Sequence, residues 1–223
     1  MAGRLKRESV KQELEDSLKR IGVDTIDLYQ IHWPDPEEDI EEGWQTLADF
    51  VKEGKVRYIG VSNFSVFEME RIKNIHPIAS LQPPYSMLRR DAEEELLPYC
   101  GRHNIGVIVY SPMQKGLLTG KFTRERAESL EDNDHRSRDP LFQEPLLSNN
   151  LALIDALSRI AEEHGKTMAQ LAIAWVLRRP ELAAAIVGAR RKGQIVETAK
   201  ASDWDLPKET AHKIDELLHK YTE

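Results

Sequence analysis

Cysteine is nearly absent: Cys100 is the single one in 223 residues. That excludes a disulfide framework and a thiolate metal cluster. Positive charge is in the minority, with 31 Lys and Arg against 38 Asp and Glu and a formal net charge of −7. A nucleic-acid partner is not expected, because such surfaces carry the opposite signature. Apolar runs fall well short of the roughly 20 residues that a bilayer span needs, so no membrane partner is expected either. The opening MAGRLKRESV has no apolar h-region of a signal peptide. A reducing, cytoplasmic setting is the expectation. Several motifs are also missing. No G-x-G-x-x-G follows a strand, no Walker-type glycine loop occurs, and no H-E-x-x-H or other metal-ligand spacing is found. No serine sits in a G-x-S-x-G elbow. Asp35, Glu37 and Glu38 form a charged turn rather than a carboxylate pair at a strand end.

What is present is ordinary globular composition, 40% hydrophobic and 31% charged, which excludes a disordered or fibrous chain. A chain of this length buries roughly 70% of its unfolded surface and needs no staples. Val10, Leu14, Leu18 and Ile21 fall at helical spacing and predict a helix over 8–21, closed by Gly22. Strand-like runs are predicted over 25–33, 56–62, 78–82, 105–111 and 183–187. Helices are predicted between and after them, over 39–52, 65–73, 93–103, 150–164, 168–178, 194–201 and 207–221, with Thr167 as an N-cap. Periodicity is lost over 113–147. Residues 123–138 (TRERAESLEDNDHRSR) read as a surface loop too polar to pack well. No repeat, low-complexity tract or Pro/Gly/Ser linker divides the chain, so residues 1–223 are expected to form a single domain.

Alternating short apolar strands and helices point to a parallel α/β sheet with right-handed crossovers. The strands suit a closed (β/α)8 (TIM) barrel, but only five are found, and a helix stands first. Each missing βα unit takes about 30 residues. The expectation is therefore an incomplete (β/α)8 TIM barrel. About five of eight βα units, strands 4–8, are present with C-terminal helices, and the missing units lie on the amino-terminal side. Its two exposed sheet edges, near 25–33 and 183–187, would invite self-association.

Polar residues cluster where the strands end: His32, then Ser62 and Asn63, then Gln82, then Tyr110 and Ser111, then Gly188 and Arg190. In a parallel barrel, the carboxyl ends of the strands open onto one face, which carries the site. Each residue also has a structural reading. His32 could be a satisfied strand-end residue, Ser62–Asn63 a turn or N-cap, Gln82 a loop anchor and Tyr110 rim packing. Arg190, Arg191 and Lys192 could be surface charge, yet they stand beside a glycine at a helix start, where an anion is welcome.

DLYQIHWPD (27–35), GKVRYIGVSNF (54–64), LQPPYSML (81–88), YSPMQKGLLTGK (110–121) and IVGARRKGQIVETA (186–199) together resemble the aldo-keto reductases. The resemblance implies a (β/α)8 barrel that uses NADPH (NADP+), with no metal, to reduce small aldehydes and ketones to alcohols by hydride transfer. It implies that His32 is the active-site histidine that orients the carbonyl. It makes Ser62, Asn63 and Gln82 ligands of the nicotinamide carboxamide, and Tyr110 the ring stacked on the nicotinamide. It places Ser111, Pro112, Met113 and Lys121 over the pyrophosphate. Gly188, Arg190, Gln194 and Glu197 would hold the adenosine 2′-phosphate and adenine. Thr198 stands where asparagine is usual, and Lys192–Gly193 where Pro-Glu is common. The Asp, Tyr and Lys of the family's tetrad have no counterpart here, and strand alternation turns Tyr29 to the face opposite His32. Low or no turnover by this chain alone is the expectation. The alternative is a non-catalytic nucleotide-binding or interaction module. An unrelated barrel isomerase or aldolase is disfavoured, because no lysine or carboxylate pair is placed at strand ends.

Overall fold

The computed structural model describes residues 4–222. Its elements alternate as the sequence predicts: α1 (Arg7–Ile21), β1 (Ile26–Ile31), α2 (Ile40–Lys52), β2 (Val56–Ser62), α3 (Val66–Ile72), β3 (Ser80–Gln82), α4 (Leu96–His103) and β4 (Gly106–Tyr110). Then follow α5 (Arg124–Glu128), α6 (Leu146–Glu163), α7 (Met168–Leu177), β5 (Leu182–Ile186), α8 (Gln194–Ala199) and α9 (Lys208–Thr222). The chain forms two compact units, one running through residue 83 with 92–108, the other made of 84–91 with 109 onward.

In the first unit, β1, β2, β3 and the start of β4 pair in parallel and in chain order. The register sets Tyr29 beside Ile59, Ile31 beside Val61, and Val61 beside Leu81. Because side chains alternate, these residues share one face. That face is apolar and fully buried at Ile59, Val61 and Leu81, alongside the core residues Ile40, Trp44 and Leu47 of α2. Tyr29 lies on it, and burial pushes its phenol up, partly opposed by the Ser17 hydroxyl of α1. The opposite face carries Gln30, Gly60, Ser62, Ser80 and Gln82 in adjacent register, so toward the carboxyl ends of its strands the sheet is apolar on one side and polar on the other.

Local signals explain the helix ends. Gly22 closes α1 in the left-handed conformation, φ 76°, its N–H on the Leu18 carbonyl. Ser65 caps α3 in a reciprocal capping box with Glu68. The cap is therefore Ser65, not Ser62–Asn63. Helix α4 starts at Leu96 rather than 93, because Pro98 fits only a first turn. Residues 91–93 form a separate 3-10 turn.

In the second unit, α7 is buried around nearly its whole circumference. Thr167 caps it in a second capping box, with Gln170. Tyr85 stacks on the fully buried Trp175 at 5.5 Å, and the Arg178 guanidinium lies 3.8 Å over the same ring. Helix α6 starts at Leu146, four residues before the sequence reading. Its first turn is partly exposed, so it lacks the periodic signal, and Asn150 is buried with its amide on the Leu141 carbonyl at 3.0 Å. Residues 123–138 also correct the sequence reading, since they contain α5 and a 3-10 turn over His135–Arg138. Arg136 is buried and bonds Asp134 through Nη2 at 2.6 Å and Nε at 3.0 Å. A charged residue packs when its partner is carried two positions away, which a count of charges does not reveal.

Candidate functional site

Strand β1 ends at Ile31, and His32 follows it, exposed, with its ring 5.9 Å from that of Trp33. Strand β2 ends at Ser62, which is buried and donates through Oγ to the Gln82 carbonyl at 2.8 Å. Asn63 takes a left-handed φ of 60° and donates through Nδ2 to the His32 carbonyl at 3.0 Å and to Ser62 Oγ at 3.1 Å. Its own N–H donates to the Gln82 carbonyl at 3.2 Å. The first unit thus draws His32, Ser62, Asn63 and Gln82 into one hydrogen-bonded group at three adjacent strand ends. Non-glycine residues with positive φ are strained and collect at ligand sites. Gln30, which the sequence reading passed over, completes the group: its Oε1 accepts from Gln82 Nε2 at 2.9 Å. The available signal was parity, since Gln30 shares a strand face with Ser62 and Gln82.

The second unit holds a cleft of about 1070 Å³. Tyr110, Ser111, Pro112, Met113, Lys121, Gly188, Arg190, Gln194 and Glu197 all line it, which is every site residue expected in this unit. Burial pushes the Tyr110 phenol up, partly opposed by Arg89. The wall after β4 is tightly wound, with positive φ at Ser111, Gln114, Lys115, Gly116 and Gly120. Buried Gln114 anchors it by accepting from Ser86 Oγ at 3.0 Å.

The cleft lining is strongly cationic. Lys115, Lys121, Arg126, Arg136, Arg190, Arg191 and Lys192 line it, against the single carboxylate Glu197. Two of these cations are neutralised within the unit, Lys115 by Asp139 at 2.7 Å and Arg136 by Asp134 at 2.6 Å. Lys121, Arg126, Arg190, Arg191 and Lys192 make no ion pair among the described residues, although the chain as a whole is acidic. Helix α8 has only six residues, so its end adds little field. The attraction for an anion comes from the side chains. Gln194 braces the wall, its Oε1 accepting from the Arg190 N–H at 3.0 Å. Thr198 is buried and bonds the Gln194 carbonyl at 3.1 Å, which holds its hydroxyl to its own helix. Arg126 and Lys115 were missed by the sequence reading. They lie in the aperiodic stretch, where no pattern marks a wall.

Residues 1–219 match the Aldo/keto reductase family. The chain belongs to that family. It is 38% identical over 213 residues to Aldo-keto reductase YhdN of Bacillus subtilis (strain 168), covering 95% of this chain and 64% of that one. It is 36% identical to a putative voltage-gated potassium channel subunit beta of Schizosaccharomyces pombe, covering 96% and 65%. Among solved structures, the glycerol dehydrogenase AKR11B4 from Gluconobacter oxydans superposes with a TM-score of 0.92 at 37% identity, covering 97% of this chain and 65% of the other. The chain thus spans about two thirds of the length of these relatives. Among the described residues, no group of His, Cys, Asp or Glu is placed to hold a metal ion. No helix among them is long and apolar enough to cross a membrane.

Proposed function

We propose that this chain binds NADPH and serves the reduction of small aldehydes and ketones to alcohols. The observation that carries the reading is the cleft of the second unit, where five cations without an ion pair among the described residues surround residues that the family resemblance assigns to nucleotide binding. A volume of about 1070 Å³ suits a ligand of cofactor size. Arg190, Arg191 and Lys192 supply charge for a 2′-phosphate, which favours NADPH over NADH. Lys121 and Arg126 supply it for the pyrophosphate. Tyr110 offers a ring for stacking. In the first unit, Ser62, Asn63 and Gln82 offer donors and acceptors for a carboxamide.

NADPH, when bound, would supply a hydride to the carbonyl carbon, and solvent would supply the proton that completes the alcohol. His32, exposed at the end of β1, donates a hydrogen bond to the carbonyl oxygen and orients it. Positional control of this kind accounts for a large part of rate enhancement in reactions between two bound groups. Within residues 1–223 the resemblance assigns only His32 of the family's tetrad, and the general acid that the other members serve is worth roughly 10²–10⁴-fold. Slow turnover is the expected behaviour of the isolated chain.

The test is titration of NADPH by fluorescence, competition by 2′,5′-ADP, and NADPH oxidation with a panel of small aldehydes. Binding in competition with 2′,5′-ADP, with slow aldehyde-dependent oxidation, is the expected result. Absence of NADPH binding overturns the reading. Turnover at ordinary reductase rates overturns the expectation of a missing acid. Binding without any turnover is what a non-catalytic nucleotide-binding module would show.

A further inference from the structure

Gln30 sits in β1, half-buried on the polar face of the first unit's sheet. Its two ends have different partners. Nε2 lies 3.1 Å from Ser80 Oγ and 3.4 Å from the Val61 carbonyl oxygen. A backbone carbonyl oxygen only accepts, so the end of Gln30 facing Val61 must be the amide NH2. Its Oε1 is thereby turned to Gln82, whose Nε2 donates to it at 2.9 Å. Rotating the Gln82 amide by half a turn would set two carbonyl oxygens against each other. Gln82 therefore keeps its own Oε1 as the end that meets a ligand.

The backbone reinforces this arrangement. Gly60 lies between the two glutamine-bearing strands, and a Cβ there would fall 3.3 Å from Gln30 Nε2 and 2.2 Å from Ser80 Oγ. The absence of a side chain at position 60 leaves room for the Gln30–Ser80 bond.

We infer that Gln30 is a positioning residue: it fixes the side-chain amide of Gln82 with its oxygen toward the ligand, so the site takes a primary carboxamide and discriminates against the corresponding carboxylate. A carboxamide offers an N–H to that oxygen, whereas a carboxylate offers acceptors only. The inference rests on the nucleotide reading above and assigns to one half-buried contact the choice between NADPH and its deamido analogue.

Three probes test it: NADPH, reduced nicotinic acid adenine dinucleotide phosphate, and 2′,5′-ADP, which has no nicotinamide. The wild-type chain binds NADPH roughly tenfold more tightly than the deamido analogue, the scale of one hydrogen bond made rather than opposed. Gln30→Leu brings that ratio close to one and leaves 2′,5′-ADP unchanged. Gln30→Met, of matched length without polar ends, gives the same result should the leucine chain fail to fold. The inference is overturned if the apolar variants keep the wild-type ratio, or if 2′,5′-ADP weakens in parallel. A wild-type chain that binds 2′,5′-ADP but does not distinguish the two dinucleotides overturns this inference alone. One that binds none of the probes overturns the nucleotide reading with it.

Discussion

Replacing Gly60 with alanine places a methyl group against Ser80, its partner on β3. The new Cβ would lie 2.2 Å from Ser80 Oγ and 2.7 Å from the Ser80 carbonyl oxygen. The hydroxyl can rotate away; the carbonyl belongs to the backbone of the paired strand, in register with Gly60. Ordinary contact needs about 3.5 Å, so one strand must move by roughly 0.8 Å. Overpacking of this kind costs about 2 kcal/mol, which for a chain of this length lowers Tm by about 4–8 °C. Thermal unfolding followed by circular dichroism measures it. The double variant Gly60→Ala/Ser80→Ala removes the hydroxyl and leaves the carbonyl, so it recovers only part of the loss. Full recovery would show that the strand backbones set no limit, and a neutral Gly60→Ala would refute the close approach itself.

Arg190→Ala with Arg191→Ala should weaken 2′,5′-ADP binding roughly tenfold and flatten its salt dependence, as measured by competition titration at several ionic strengths. Asp134 is held well below the ordinary carboxylate range, first by hydrogen bonds from the Arg136 guanidinium and then by the Arg136 N–H. A depressed folded pKa gives stability that is present above the unfolded value, about 4, and lost as pH falls below it. An acid series of Tm values should therefore slope less below pH 4 in Asp134→Asn than in wild type. Thr167→Ala removes one arm of the capping box on α7, costs about 1 kcal/mol, and should lower Tm by about 2–4 °C. An unchanged Tm there would mean that the cap contributes nothing beyond packing.

Strand and helix order could be read because each element carries its own period, and because residues such as Gly22, Ser65 and Thr167 end or begin helices by bonds to near neighbours. Errors arose where the deciding interaction was not periodic. Helix α6 begins in an exposed turn with no amphipathic stripe, and α4 is delayed by the ring of Pro98. Residues 123–138 were misread because a charged composition was taken for solvation, while Arg136 carries its counter-ion two positions away. Part of the candidate site, His32, Ser62, Asn63, Gln82, Tyr110 and Ser111, could be read as strand-end polar groups, while the motif resemblance alone proposed the other residues and every role. Gln30 was passed over because it stands within a strand, where a polar residue reads as an exposed face.

The linear chain determined which residues end the strands, which helices are capped, and which stretch after β5 concentrates positive charge, since these depend on neighbours within a few positions. Only the folded chain decided which cations keep their charge for an anion. Asp139 neutralises Lys115 from 24 positions away, while no described carboxylate reaches Arg190 or Lys192. Folding likewise decided which end of the Gln82 amide faces outward, because that depends on Gln30, 52 residues earlier. Strand register brings Gln30 and Gln82 together, and register is a property of the pleated sheet as a whole rather than of any segment within it.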